Sequence, residues 1–254
     1  MNSDRVADQV LTVPSRETFS PGMIGARPVT PRFALVVAVL RAQVAEIARN
    51  RWVLAHALVL AVLTEALYQL GGSAPRALSG LLNVVLLLVP LVTTVFGVVY
   101  WHTSREFTEL LLAQPVPRRA LWCGLYLGLA TPLVAAFALG ITLPLVLHRA
   151  VTPDVLPLLL SYLLAGSALT LSFAAIAMWI GAAQDDRLKA LGLALAVWFI
   201  TTVVYDGLVI WLATAYSDWP LEKPMLGFMF ANPVDLARTG LMLRLDSAAL
   251  MGYT

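Results

Sequence analysis

Five long apolar runs constrain this chain more than any other feature: residues 52–70, 80–100, 121–147, 155–180 and 190–215. Each reaches the roughly 20 predominantly apolar residues that a helix needs to cross ~30 Å of hydrocarbon. Hydrophobic residues make up 59% of the chain and charged residues only 13%, about half the charged share of an ordinary soluble domain. Lipid is therefore the solvent for most of the molecule. The expected fold class is all-α, a polytopic transmembrane helix bundle with five spans present.

The net charge of +2 is too small to imply a nucleic-acid partner, but the distribution of charge is informative. With the N-terminus in the cytoplasm, twelve of the seventeen Lys and Arg fall on the inner side and five on the outer side, the asymmetry of the positive-inside rule. Trp52, Trp101, Trp122 and Trp179 then all fall at inner ends of spans, where amphipathic rings sit at headgroup level. The first thirty residues hold no apolar signal core, so 1–31 reads as a disordered cytoplasmic tail bearing Pro14, Pro21, Pro28 and Pro31. Cys123 is alone and is expected to serve as a small buried apolar residue.

Residues 32–51 carry Val36, Leu40, Val44 and Ile47 at helical spacing, with Arg41, Gln43, Glu46 and Arg49 on other faces. This predicts an interfacial amphipathic helix that turns at Asn50–Arg51 into the transmembrane permease domain of 52–254; a soluble helix packed on protein is the alternative. Pro90, Pro132 and Pro144 lie inside spans, where proline tends to kink a helix. In the outer segment 217–254, Asn232-Pro233-Val234-Asp235 is a helix start, with an N-cap, a proline at the first position and a carboxylate in the first turn. That helix is expected to end near Arg244, and Asp246 or Ser247 to cap another, so that the chain stops as a sixth span begins and reads as truncated.

The connection 101–119 holds a short helix, 103–114. Thr103 and Glu106 have capping-box spacing, Phe107, Leu110 and Leu111 form an apolar stripe, and Pro115 and Pro117 forbid continuation. Glu106 and Glu109 offer charge to a basic partner, and the stripe suits a groove. An ordinary polar connecting turn is the competing reading.

These residues carry a resemblance. Phe96-Gly97, Tyr100, Ser104-Arg105-Glu106-Phe107, Glu109 through Pro115 and Arg118, together with Asn232-Pro233, Asp235, Arg238 and the final Leu245-Asp246 and Ala249 through Thr254, resemble the type-2 ABC exporter permeases. Within them the chain is similar to the membrane subunits that serve maturation of nitrous oxide reductase in denitrification. The resemblance implies a multi-pass protein of the bacterial inner membrane, a homodimer with a second copy of itself, and six spans. It implies a coupling helix at 103–114, with Thr103, Arg105, Glu106, Phe107, Glu109, Leu110 and Leu111 serving cytoplasmic ABC ATPase subunits. It also implies a periplasmic β-helical partner and a role in supplying sulfur or copper to a copper–sulfide centre. The alternatives are a type-2 exporter of lipid, drug or polysaccharide, and a non-transporting membrane scaffold or intramembrane enzyme.

No G-x-x-x-x-G-K-[ST] loop is present, so ATP is expected in a partner subunit and no cofactor is expected on this chain. Intramembrane charge is costly enough to be a functional candidate. Glu65 and Asp206 both fall in the outer half of the bilayer and are candidates for a shared vestibule, although bonding to neighbouring helices is the preferred reading. Gln69 and Thr202 each lie one turn from an acid. His56 is expected at the inner interface. Met225 and Met229, one turn apart, could hold soft copper(I), though such pairs are more often packing, and His148 is the only outer histidine.

Overall fold

The computed structural model describes residues 50–112, 117–216 and 222–251. The tail expected over 1–31, most of the connecting helix over 32–51, Gln114, and the outer residues 217–221 and 252–254 lie outside the described residues. The helices are α1 (Arg51–Gly71), α2 (Ala74–Thr103), α3 (Arg105–Leu112), α4 (Arg118–Leu147), α5 (Leu156–Ala183), α6 (Arg187–Phe199), a π-helical turn (Ile200–Val204), α7 (Tyr205–Ala215), α8 (Glu222–Ala231) and α9 (Pro233–Met251). The described residues contain no strand. Among the described residues, five segments are long and apolar enough to cross a membrane: α1, α2, α4, α5, and Arg187–Leu212, which runs through α6, the π turn and most of α7.

Local chemistry sets the helix ends. Asn50 Oδ1 accepts from the Trp52 amide at 2.9 Å, and α1 stops at Gly72, whose φ of 67° suits glycine and whose amide donates to the Tyr68 carbonyl. Pro75 lies in the first turn of α2, where its missing amide has no intrahelical partner to lose. At the end of α4, Arg149 takes a left-handed conformation, with the Ala150 amide on the Leu145 carbonyl and the Arg149 amide on Val146, a Schellman closure without glycine. Asp186 caps α6 through the Leu188 amide at 2.8 Å. Successive spans reverse direction, so one end of the bundle carries α3 and the connection 184–186. The opposite end carries 72–73 and 148–155.

The bundle is built around α2 and α5, with α1 and α4 on one side and α6 on the other. Small residues let the backbones close up, as van der Waals packing in lipid requires. A Cβ on Gly97 of α2 would lie 2.6 Å from that of Ala177 on α5, and one on Gly166 would overlap the Phe137 ring of α4. Phe137, Tyr162 and Phe173 are fully buried, and the Tyr162 hydroxyl donates to the Leu78 carbonyl. Ala190 and Ala194 seat α6 against Val98, Ala177 and Ile180.

Helix α9 lies on α5 and α2, and its Val234 and Leu241 join their core. It runs unbroken to Met251. The expected stop near Arg244 and fresh cap at Asp246 or Ser247 do not occur: residues 244–247 contain no Gly or Pro, the helix cost of Asp or Ser is only tenths of a kcal/mol, and Leu245 packs against the core. His56, in the second turn of α1, faces the bundle and is 6% exposed, whereas Cys123, expected to be buried, is exposed on α4.

Candidate functional site

Helix α3 begins at Arg105, and Thr103 closes α2 instead of capping α3. The Thr103 hydroxyl donates back to the Val99 carbonyl at 2.9 Å, so the Thr103–Glu106 capping box does not form. The Ser104 carbonyl accepts from both the amide and the hydroxyl of Thr108, at 2.9 and 2.8 Å, which makes Thr108 the inward residue. Glu106, Glu109 and Leu110 point outward, Leu110 being 69% exposed. Phe107 and Leu111 lie on α3, with side chains outside those described.

Arg105 ties this helix down. Its Nη2 meets Asp185 at 2.9 Å and its Nε meets Glu109 at 3.1 Å, joining α3 to the connection between α5 and α6. Asp185 first, and then Glu109, hold the guanidinium above its ordinary pKa. Beneath α3 the indoles of Trp101 and Trp122 stack at 4.7 Å, and Trp101 packs over Gly181. Asp185 is a site residue that sequence reasoning misses. The signal for it is Asp185-Asp186 in a short turn, where one acid caps α6 and the other is left to find a cation.

Toward the opposite end, Glu65 and Asp206 go to separate partners. Both Glu65 oxygens lie 2.9 Å from His148 Nε2, Gln69 donates to Glu65 Oε1 at 2.7 Å, and Tyr68 stacks on the His148 ring at 4.7 Å. This cluster joins α1 to the end of α4. Asp206 Oδ2 instead meets Arg238 Nη1 of α9 at 2.5 Å, and Arg238 also lies 3.8 Å from Asp235. Thr202 does not support Asp206: Thr202 Oγ1, Asp206 Oδ1 and Arg238 Nε are buried without hydrogen-bond partners. Thr202 lies inside a π turn, where the Tyr205 amide reaches back five residues to the Ile200 carbonyl.

Asn232 joins the same region. Its Oδ1 accepts from the Val234 amide at 3.1 Å, as an N-cap should, while its Nδ2 donates to the Thr201 carbonyl inside the π turn at 2.6 Å. Tyr205 donates to the Phe228 carbonyl of α8. Met229 is partly exposed on α8, and the Met225 side chain lies outside those described. No group of three or more His, Cys, Asp or Glu placed to hold a metal occurs among the described residues.

Residues 107–251, more than half of the chain and including most of α3, match the family described as ABC-2 family transporter protein. The chain belongs to the ABC-2 transporter family. This ABC-2 protein is also similar to the probable ABC transporter permease protein NosY of Pseudomonas aeruginosa, with 26% identity over 235 residues, covering 86% of this chain and 85% of that one. The probable NosY permease of Stutzerimonas stutzeri is 25% identical over 217 residues, covering 79% and 78%. Both relatives are permeases by name, and the five apolar spans make this ABC-2 chain a multi-pass membrane protein of the same kind.

Proposed function

We propose that this permease couples ATP hydrolysis by separate cytoplasmic ATPase subunits to movement at the periplasmic face, in a complex that matures the copper–sulfide centre of nitrous oxide reductase. The observation that carries the coupling is α3, a short helix pinned at Arg105 to the connection between α5 and α6, with Glu106, Glu109 and Leu110 turned outward. Likeness to NosY over most of both chains supports the maturation role. Arg51, Arg105, Arg118, Arg119, Arg187 and Lys189 lie at the α3 end, against Arg76 and Arg149 in the opposite connections and Lys223, Arg238 and Arg244 on α8 and α9; with the six arginines that precede Arg51 in the sequence, this excess supports an inner-membrane orientation with α3 and the N-terminus in the cytoplasm.

A second copy of the chain and a periplasmic β-helical protein complete the assembly. Exposed apolar residues on α1, among them Trp52, Leu58 and Val62, and on the fifth span, among them Phe199, Ile210 and Trp211, are consistent with a partner helix or lipid. A second reading, export of a lipid, is favoured by the open, largely apolar 430 Å³ cleft between α5 and α9, lined by Leu164, Ala168, Leu236 and Gly240.

Replacing Glu106 with Lys and Leu110 with Ala together should leave insertion intact and weaken ATPase co-purification at least about tenfold, as expected for loss of an interface anchor. Retention of the ATPase with undiminished coupled hydrolysis would reduce α3 to a connecting turn. A strain lacking this permease should accumulate nitrous oxide reductase without its copper–sulfide centre; normal maturation there would favour the lipid reading.

A further inference from the structure

The fifth span is two bodies of unequal anchorage. Its lower part, α6, is seated by buried Ala190 and Ala194, and its last attachment to the core is the Trp198 indole donating to the Leu87 carbonyl at 3.2 Å. That carbonyl neighbours the one on Leu86 that Pro90 cannot serve, because proline lacks the amide. Above Trp198 the apolar packing thins out. In the π turn only Thr202 is buried, α7 has no buried residue among those described, and Val203, Val204, Leu208, Ile210 and Trp211 are exposed.

What ties this upper part to the bundle is polar. The Thr201 carbonyl takes the Asn232 side-chain amide, Tyr205 bonds the Phe228 carbonyl, and Asp206 pairs with Arg238. The other side of this tie is firm, since Asn232 is 2% exposed at the head of α9 and Val234 and Leu241 anchor α9 in the core of α5 and α2. A π turn is an α-helical ladder with one residue too many, a common place for a helix to bend. The Asp206–Arg238 contact leaves Oδ1 and Nε unused, so the pair is not saturated in this arrangement.

We propose that the π turn at Ile200–Val204 is a hinge in the fifth span, that α7 is the arm it carries, and that Asn232, Tyr205 and Arg238 are positioning residues that latch the arm to α8 and α9. This goes beyond the permease reading, and its test needs no ATPase. Asn232→Ser retains an N-cap for α9 but is too short to reach Thr201, so it separates the latch from the cap. Tyr205→Phe removes one donor while keeping the ring.

In the full chain with Cys123 replaced by Ser, reconstituted in lipid nanodiscs, spin labels at Ile210 and Leu70 report the arm, and labels at Leu188 and Trp52 report the seated part below the hinge. The wild-type protein should give a narrow 210–70 distance distribution. Asn232→Ser and Tyr205→Phe should each replace it with a broad one while the 188–52 distribution stays narrow. An unchanged 210–70 distribution in the variants overturns the latch, and equal broadening of both pairs overturns the hinge. If Asn232→Ser fails to insert, Tyr205→Phe decides by the same two readings.

Discussion

Asp206 engages Arg238 through one oxygen only, and the two side chains are 24% and 22% exposed. Its counterpart Glu65 is more exposed and has two partners, His148 and Gln69. Breaking a buried pair strands a charge, whereas breaking an exposed one costs little. Arg238→Gln should therefore destabilise the purified protein by about 1–3 kcal/mol, the cost of leaving a largely buried polar group unpaired, and Glu65→Gln by less than that, read from unfolding titrations in mixed micelles; equal costs would contradict this ranking. Asp235 adds a pH dependence. Burial first, and then the charge of Asp206, raise its carboxyl above the ordinary range against the pull of Arg238. An acid whose pKa is raised on folding costs stability above that folded value, and the cost fades as the pH falls through it toward the unfolded value of about 3.9. Asp235→Asn should then raise the thermal midpoint at pH 7, with the gap to wild type closing in acid. At this scale the sequence shows which groups are chemically costly but not their partners, because an acid one turn from Thr202 looks supported, whereas Asp206 turns to Arg238, 32 residues further on.

At the scale of the element, the spans are legible because hydrocarbon requires about 20 apolar residues in a row. Their ends are less so: the run at 80–100 becomes Ala74–Thr103, since Pro75 is tolerated in a first turn and polar residues can extend a helix beyond the lipid. The π turn has a faint sequence mark, five β-branched residues in succession from Ile200 to Val204, whose crowding disfavours a tight α turn. The α3 segment is legible as a bounded helix, but its cap is not, because Thr103 serves the helix before it. Glycine positions allow a direct test of the packing. Gly166→Leu would drive atoms into Phe137 and should cost about 3 kcal/mol or more, partly recovered by Phe137→Leu. A Cβ added at Gly192 would meet nothing within 4 Å, so Gly192→Ala should be neutral or stabilise by up to about 1 kcal/mol. Thermal inactivation in detergent separates the two outcomes.

For the whole molecule, the alternation of spans fixes which connections share an end, and the orientation proposed from the arginines is open to a direct test. Single cysteines at Asp154 and Arg119, in a background lacking Cys123, should differ in intact cells: a membrane-impermeant thiol reagent should label position 154 and spare 119. The reverse pattern would invert the orientation. Any ATPase closing on α3 must act near Trp101 of α2 and Trp122 of α4, whose indoles stack at 4.7 Å with planes 19° apart. Chromophores this close share their excited states, and the splitting of their ultraviolet bands falls steeply as they separate. The bundle thus carries an unlabelled optical gauge at the end where force is expected to enter, and circular dichroism of the tryptophan bands can report the parting of α2 from α4.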